Sequence, residues 1–322
     1  MKHLTSLFTV LIMLLSLNAQ AEYSERADVQ QFIDEMVDKH DFDRDELVAK
    51  LASAEKLEGV LKAIARPAEK VLTWEDYRPI FVTSKRIDKG NKFLQQHREI
   101  LQRAEKEYGV PAQIIAAIVG VETYYGTRSG RTNVFNSLVT LAFDYPPRSP
   151  FFRSELEQFL LLTREEDVDV NNVRGSYAGA MGMPQFISSS YRHYAVDFDG
   201  DGKRDLWNST ADVVGSVANY FREHGWEPGD EVVIPARVNA QIEETRNKLK
   251  PHTLISELSR QGVYPQMHMN EDVKATVLTL HGKNGKEYWL GLDNFYVITR
   301  YNHSAMYAMA VYQLSLEFDT QK

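Results

Sequence analysis

The sequence predicts a mainly α-helical protein of the α+β class, with a small β-containing section near its C-terminal end. Apolar residues recur at helical spacing through most of residues 22–225. Runs rich in β-branched residues follow at 230–237, 273–281 and 288–298. Helical spacing then returns at 304–317. We therefore expect a helical core into which a small sheet is inserted before the last helix.

The first 21 residues predict a secretory signal peptide. Lys2 precedes the apolar stretch LFTVLIMLLSL, and Ala19-Gln20-Ala21 forms a small-x-small cleavage pattern before Glu22. A retained anchor helix is the alternative, but the stretch is short for a membrane span. We therefore expect export to the periplasm and a mature chain that starts near Glu22.

Composition narrows the class of protein further. The chain has 322 residues, of which 43% are hydrophobic and 25% charged, enough for one large domain or two to three modest ones. It has no cysteine, so we expect neither disulfides nor a thiol-linked lipid anchor. The net charge of −8, without a sustained basic patch or a phosphate-binding loop, argues against nucleic-acid binding. We expect a soluble monomer without an organic cofactor.

Taken in order, the mature chain divides into four predicted parts. Candidate caps at 41–46 and the break at Pro67 predict short packed helices in the first part. Gly282 and Gly285 predict a hairpin in the β-containing part. The predicted parts are an N-terminal helical region 22–75, a catalytic core 76–228, a small β-containing domain 229–299 and a segment 300–322 that returns to the core.

Glu122 is the first candidate for chemistry. It lies near the end of the apolar run 111–127, on the helix face of Ile118 and Val119, close to a helix end that Gly126 is expected to mark. Apolar surroundings and the negative end of the helix dipole both raise the pKa of a carboxyl group, as a general acid requires. A buried Glu that bonds tyrosine or backbone groups is the alternative.

The second candidate is an acidic loop at 197–208, between helical patterns at 188–194 and 210–224. Its oxygen donors fall at positions one, three, five and nine, with glycine at six, as in the calcium-binding loop of an EF-hand. Position twelve is Asn208 instead of glutamate, so the last ligand could lie downstream, for example at Asp212. An Asx-rich turn without metal is the alternative, and a single loop favours a structural brace. The predicted calcium ligands are Asp197, Asp199, Asp201, Lys203 and Asp205.

Between these two signals lies a segment of small residues at 174–186. Ala178-Gly179-Ala180 lets the backbone approach another surface closely, while Ser176, Gln185 and Phe186 offer polar and stacking contacts. On its own the pattern is also compatible with a simple tight turn.

Four motifs in order connect the chain to a known family: ETYYG at 122–126, GSYAGAMGMPQF at 175–186, DFDGDG at 197–202 and RYNHS at 300–304. They resemble the membrane-bound lytic murein transglycosylase B family over nearly all of the mature chain. The resemblance implies a lysozyme-like α core with an N-terminal helical domain, a small β-containing domain and a calcium loop. It also implies cleavage of the bond between N-acetylmuramic acid and N-acetylglucosamine in bacterial peptidoglycan without water, which leaves a 1,6-anhydromuramyl end.

The same resemblance assigns site residues. Glu122 matches the single catalytic acid and base, and Ser176 matches a serine that binds beside it. Where the family carries an Arg pair, this chain has Pro147-Arg148, and the lipid-bearing cysteine is missing, so the chain resembles a soluble periplasmic member. The remaining matched positions are the active-site residues Tyr301, Asn302 and Tyr307 and the groove residues Tyr77, Arg148, Gln185, Phe186 and Tyr220.

One carboxylate is sufficient for this chemistry if the C6 hydroxyl of the sugar is the nucleophile, because Glu122 can first donate and then remove a proton. Ordinary glycosidases need two carboxylates. Asp144 is a candidate second one, which would make the protein a hydrolytic muramidase, although its setting favours a turn residue. A catalytically weak glycan-binding protein is the third alternative. His193 and His303 are expected to be hydrogen-bonded packing residues.

Overall fold

The computed structural model describes residues 23–65, 72–242 and 248–319, so the predicted signal peptide and Pro67 lie outside the described residues. The α-helices are α1 Ala27–His40, α2 Arg44–Ala52, α3 Glu58–Ile64, α4 Trp74–Phe81, α5 Ser84–Gln96, α6 Arg98–Tyr108, α7 Ala112–Thr123, α8 Val134–Asp144, α9 Ser149–Glu165, α10 Ser188–Tyr194, α11 Thr210–Glu223, α12 Ile255–Arg260, α13 Asp293–Tyr301 and α14 Ala305–Leu316. The strands are β1 Thr132–Asn133, β2 Arg174–Gly175, β3 Val233–Val238, β4 Thr253–Leu254, β5 Val263–Pro265, β6 Lys274–Gly282 and β7 Gly285–Gly291.

Helix α7 forms the centre of the helical core. It is apolar around its whole circumference, which is typical of a helix buried on all sides. Helices α5, α6, α11 and α14 pack around it. Only Gln113 and Glu122 of its twelve residues are not fully buried. Glu122 is therefore the one ionisable group of the central helix.

The N-terminal helices pack against α8 and α9. Phe32 of α1 meets Phe143 of α8 edge-on, with ring centroids 5.9 Å apart. The backbone N–H of Leu57 donates to Thr140 Oγ1 at 3.0 Å. The predicted capping segment is confirmed at Asp43, whose side chain accepts a hydrogen bond from the backbone N–H of Glu46 at the start of α2.

The larger sheet has five antiparallel strands in the order β4-β6-β7-β3-β5. Strands β6 and β7 form the predicted hairpin, in which Gly282 pairs with Gly285 around a two-residue turn. The sheet and α12 share a small hydrophobic core of their own, which includes Ile234, Leu258 and Leu290.

One predicted strand is partly wrong. The β-branched run 288–298 continues as strand only to Gly291, and α13 begins at Asp293. Phe295, Val297 and Ile298 are buried in the helical core. Packing of this face therefore overrides the strand preference of Val297 and Ile298. None of the helices in the described part of the chain is long and apolar enough to cross a membrane.

Candidate active site

Glu122 lies in the last turn of α7, and the end of that helix differs from the sequence prediction. Tyr124, instead of Gly126, is the left-handed residue that ends the helix, with φ 52°, and Tyr125 follows with φ 58°. Such values are uncommon outside glycine and are held by tertiary contacts. The Tyr125 ring folds back onto Gly120, where a Cβ atom would lie 2.7 Å from the phenol, and its hydroxyl donates to the Arg86 carbonyl at 3.0 Å.

Two cations bind the carbonyl groups at this end of α7, and no sequence pattern predicts them. Arg86 Nε donates to the Gly120 carbonyl at 3.1 Å, and Lys89 Nζ donates to the Tyr124 carbonyl at 3.0 Å. Positive charge near a helix C-terminus offsets the negative end of its dipole. These contacts hold the strained turn that follows Glu122.

Tyr307 contacts the carboxyl group of Glu122 directly. Its hydroxyl donates to Glu122 Oε1 at 2.5 Å. Burial, followed by the nearby Glu122 charge, raises the pKa of Tyr307 well above its ordinary value, so the phenol remains protonated and remains a donor. Ser304 caps the start of α14 through the Tyr307 N–H and thereby fixes the first turn, from which Tyr307 projects.

Four predicted aromatic residues form one continuous cluster of rings that we call the aromatic wall: Phe186, Tyr220 and Tyr307, which are buried, and Tyr301, which is half-buried. The ring centroids of Phe186 and Tyr301 are 5.8 Å apart, those of Tyr220 and Tyr301 4.9 Å, and those of Tyr301 and Tyr307 6.5 Å. The Tyr220 hydroxyl donates to the Arg300 carbonyl at 2.7 Å. The wall thus extends from Glu122 across residues of the 174–186 segment, α11, α13 and α14.

Burial, followed by the Glu122 charge, also raises the pKa of Tyr301 well above its ordinary value. Its hydroxyl donates to the Pro184 carbonyl at 2.5 Å. Tyr301 is therefore a neutral phenol that connects α13 to the 174–186 segment.

Ser176 lies in a tight turn, as one of the two interpretations of this segment predicted. Its Oγ accepts from the backbone N–H groups of Ala178 at 3.2 Å and Ala180 at 3.0 Å. Gly175 is required here, since a Cβ atom would lie 2.1 Å from the Ala180 carbonyl oxygen. Small residues therefore allow the close backbone approach that the sequence indicated.

Thr123 and Gln185 connect this turn to the end of α7. Thr123 Oγ1 donates to the Met183 carbonyl at 2.8 Å, which brings the 174–186 segment next to Glu122. Gln185 has φ 53°, and its side-chain amide donates to the Ser129 carbonyl at 3.1 Å. Sequence reasoning missed Thr123, although its place directly after Glu122 was the available signal.

The remaining predicted groove residues are only partly brought together. Tyr77 of α4 is buried and lies close enough to Tyr307 to contribute to the raised pKa of that phenol. Asn302 is half-buried and directly follows Tyr301. Arg148 is exposed, with its guanidinium 4.3 Å from the centre of the Phe151 ring. Among the described contacts, no hydrogen bond or ring contact joins Arg148 to Glu122 or to the aromatic wall.

Asp144, the candidate second carboxylate, is the last residue of α8. One carboxylate oxygen accepts from the Tyr23 hydroxyl and the other from Arg26 Nη1 at 2.8 Å. The carboxylate thus fastens the N-terminal helices to the end of α8.

His193 and His303, which the sequence predicts to be packing residues, are both exposed. His303 Nε2 bonds Arg300 Nη1 at 3.0 Å.

The acidic loop brings three of the predicted calcium ligands together. Carboxylate oxygens of Asp197, Asp199 and Asp201 lie within 4.8 Å of one another. Three carboxylates in an exposed loop are a donor set that fits a hard cation such as Ca²⁺. Lys203 could contribute only its carbonyl oxygen. One oxygen of the Asp205 carboxylate, Oδ1, caps the next turn, accepting from the Trp207 and Asn208 N–H groups at 2.9 Å.

Asp212 is not placed as the downstream ligand suggested by the sequence. It is fully buried, and its carboxylate accepts from the backbone N–H groups of Phe198 at 2.7 Å and Asp205 at 2.8 Å. Burial raises the pKa of this carboxyl, while the same hydrogen bonds lower it. Asp212 therefore holds both ends of the loop from the protein interior.

Comparison with known proteins shows which family the chain resembles. A model of the transglycosylase SLT domain matches residues 24–316. Membrane-bound lytic murein transglycosylase B of Escherichia coli strain K12 is 44% identical over 302 residues, covering 91% of this chain and 83% of that protein. The solved structure of soluble lytic transglycosylase SltB1 from Pseudomonas aeruginosa is 49% identical, with a TM-score of 0.86, covering 90% of this chain and 97% of that one.

A third similar protein is the Escherichia coli lytic transglycosylase Slt35, solved in complex with calcium. It is 44% identical with a TM-score of 0.85, and the match covers 92% of this chain and 94% of that one. These likenesses confirm the predicted fold class, a lysozyme-like α core with a small β-containing part. With the family match, which spans nearly the whole sequence, they show that the chain belongs to the transglycosylase SLT domain family.

Proposed function

We propose that this protein is a lytic transglycosylase that cleaves the β-1,4 bond between N-acetylmuramic acid and N-acetylglucosamine in peptidoglycan. The product is a 1,6-anhydromuramyl end, formed without water. The observation that carries the proposal is the single carboxyl group of Glu122, held by Tyr307 at the aromatic wall. The substrate is supported by the Escherichia coli relative, which is named a murein transglycosylase.

In the proposed reaction Glu122 acts twice. As the acid it donates its proton to the glycosidic oxygen while the bond from that oxygen to C1 of the muramyl residue breaks. As the carboxylate it then removes the proton of the C6 hydroxyl, whose oxygen bonds to C1. One C–O bond breaks and one forms, and Glu122 ends protonated again. A second carboxylate is unnecessary. This agrees with the structure, in which both oxygens of the Asp144 carboxylate accept hydrogen bonds from Tyr23 and Arg26.

We assign Tyr307 to positioning of the Glu122 carboxyl, because it bonds one of the carboxyl oxygens directly. The turn hydroxyl of Ser176 and the amide of Asn302 are assigned to binding of polar groups of the sugar next to the cleaved bond. Both residues are half-buried, so their polar groups can still reach a ligand. Tyr77 is buried near Tyr307 and is assigned to support of that phenol.

The aromatic wall is assigned to the sugar rings, since flat aromatic faces pack well against the apolar faces of pyranoses. The hydroxyls of Tyr220 and Tyr301 already bond carbonyl groups of the protein. Tyr301 is the half-buried ring of the wall and is assigned to the sugar contact, while the buried rings of Phe186, Tyr220 and Tyr307 pack around it and hold it in place. Gln185 orders the turn that carries Phe186. Arg148 is the outermost assigned residue, and we propose a peptide carboxylate as its ligand.

For the acidic loop we propose a calcium site that braces the structure. Asp197, Asp199 and Asp201 would supply carboxylates, Lys203 its carbonyl and Asp205 a further oxygen, and the Slt35 complex with calcium supports this choice of metal. The Met183 N–H donates to the Leu206 carbonyl at 2.8 Å, so the loop touches the segment that carries Phe186. Calcium bound there would stabilise the substrate segment without taking part in proton transfer.

The test is mass spectrometry of the fragments that the mature protein releases from isolated peptidoglycan. The proposal expects muropeptides that are lighter by one water than hydrolytic products and that carry no new reducing end. Reducing-end products would indicate a muramidase instead. Intact strands that still bind the protein would indicate a glycan-binding protein.

We further propose that the protein acts in the periplasm as a monomer. The cell-wall substrate of the Escherichia coli relative supports this location, and residues 1–21 predict the export signal. Cell fractionation and size-exclusion chromatography of the purified mature chain test the two statements separately.

A further inference from the structure

A large pocket of about 700 Å³ lies between the chain that leads into β4 and an outer face of α13. One wall is formed by Lys248, Lys250 and His252. The other is formed by Tyr296 and Arg300, which lie four residues apart on one face of α13, and by His303, which follows the end of that helix. The volume lies within the range of ligand-binding sites.

The charge of this pocket is opposite to that of the whole protein. The chain carries a net charge of −8, yet Lys248, Lys250 and Arg300 all line the pocket. Within the described part of the chain, none of these three cations forms an ion pair with a carboxylate. Three cations around one concave space attract an anion, and partial enclosure strengthens that attraction relative to open water.

The pocket also has an ordered apolar part. The ring of Tyr296 lies between two cations, with Lys250 Nζ 6.0 Å and Arg300 Cζ 5.8 Å from its centre. Arg300 Nη1 bonds His303 Nε2 at 3.0 Å, which fixes the guanidinium group. Partial burial of the His303 ring in the pocket, followed by the Arg300 charge, lowers the pKa of His303, and its Nε2 bonds the guanidinium of Arg300. The cationic character of the pocket therefore comes from Arg300 and the two lysines.

Arg300 connects this pocket to the aromatic wall. It is the residue directly before Tyr301, and its carbonyl accepts a hydrogen bond from the Tyr220 hydroxyl at 2.7 Å. Arg300 and Tyr301 are consecutive residues at the end of α13. An extended peptide of about five residues spans roughly 17 Å, which is enough to pass a helix about 10 Å wide, so a peptide attached to a sugar at the wall is long enough to reach the cations on the other side of α13. The Tyr296 ring lies beside the guanidinium of Arg300 and the ammonium group of Lys250. Because an inorganic ion would use only the charges, whereas a short peptide that ends in a carboxylate would use both the charges and the ring, the pocket fits such a peptide better.

We propose that this pocket binds the terminal carboxylate of the peptide that peptidoglycan carries on its muramyl residues. The inference rests on the proposed function, since it adds a subsite to the same substrate. Lys248, Lys250 and Arg300 supply the charge, and Tyr296 supplies the surface on which the peptide lies. The site thereby makes the enzyme prefer strands that carry peptides.

The test is the double substitution Lys248→Gln/Lys250→Gln, with Lys274→Gln/Lys283→Gln as a control that removes two exposed lysines outside the pocket. The value of kcat/KM is measured on peptidoglycan strands with their peptides and on strands from which the peptides have been removed. We expect the pocket variant to lose about tenfold on the first substrate and almost nothing on the second. The control variant is expected to resemble the wild type on both.

A binding measurement separates this inference from the proposed function. Calorimetric titration of the wild type with a disaccharide-peptide, and with the same molecule amidated at its terminal carboxylate, does not depend on turnover. Tighter binding of the free acid, lost in the pocket variant and weakened by added salt, supports the subsite even if the cleavage products are hydrolytic. Equal binding of acid and amide, or equal losses of kcat/KM on both strand types, would overturn it.

Discussion

Glu122 and the acidic loop carry the same functional group in contrasting environments. Glu122 is a single carboxyl at the end of a buried apolar helix, bonded by the phenol of Tyr307. In the loop, Asp197, Asp199 and Asp201 gather in an exposed segment, where backbone N–H groups hold the Asp197 carboxylate. Surroundings of the first kind suit proton transfer, and those of the second kind suit a cation. The environment, more than the residue type, therefore separates the two proposed roles.

The largest expected effect comes from replacing Glu122, and replacement of Asp144, the carboxyl at the end of α8, is the comparison. Glu122→Gln keeps the shape of the side chain but removes the acid, so kcat/KM on peptidoglycan is expected to fall by about 10³-fold or more. Asp144→Asn removes a carboxylate that bonds Tyr23 and Arg26, so we expect a lower Tm with activity retained. Initial rates and thermal melts of both variants provide the measurement. Residual turnover of Glu122→Gln near the wild-type rate would remove Glu122 from the mechanism.

Tyr307→Phe tests whether the phenol matters to the Glu122 carboxyl. Loss of a hydrogen bond to a charged group corresponds to about 2 kcal/mol, or about a 30-fold decrease of kcat/KM. The matched control is Tyr312→Phe, on the same helix and half-buried, whose hydroxyl forms no described hydrogen bond. If the two variants lose activity equally, the contact with Glu122 is not the cause.

Calcium addition tests the loop side of the comparison. In excess calcium the wild type is expected to melt about 5 °C higher, because the metal binds only the folded loop. Asp199→Asn should abolish most of this shift, whereas Asp272→Asn, an exposed control on another loop, should keep it. Differential scanning fluorimetry with calcium and with chelator measures both. A shift that survives in Asp199→Asn would place the cation elsewhere.

The smallest effect concerns pH. Hydrogen bonds from backbone N–H groups, above all that of Gly202, lower the pKa of Asp197 from its ordinary value of 3.8. A carboxyl with a lowered folded-state pKa adds stability above the unfolded value, and that stability is lost as the pH falls through the folded value. Without calcium, Asp197→Asn should therefore lower Tm by a constant small amount from pH 7 to 5. The difference from the wild type should close only below pH 3.8, and a difference that closes already at pH 6 would contradict this assignment.

Features encoded in one contiguous segment could be predicted from the sequence. The loop of Asp197, Asp199 and Asp201 follows from fixed spacing, and Glu122 from its place on an apolar helix. The aromatic wall joins residues from four separate segments. The 174–186 segment itself indicated Phe186, whereas the assignment of Tyr220, Tyr301 and Tyr307 came from the resemblance to a family. The bond between Tyr307 and Glu122 spans 185 positions, which no local pattern reports.

Predictions from local backbone preference were wrong in two places. Val297 and Ile298 favour strand, yet burial of one face places them in α13. Gly126 was expected to be the left-handed residue that ends α7. Tyr124 and Tyr125, which precede it, already adopt that conformation because Tyr125 contacts Arg86 and Gly120. In both places tertiary packing decides between local alternatives of similar free energy.

The most direct test of the single-carboxylate mechanism is digestion of peptidoglycan by the wild-type enzyme in water enriched in ¹⁸O. If the C6 hydroxyl is the nucleophile, the released muramyl ends contain no ¹⁸O and are lighter by one water than hydrolytic ends. If a water molecule is the nucleophile, each new reducing end carries one ¹⁸O atom. That result would contradict the proposed double role of Glu122.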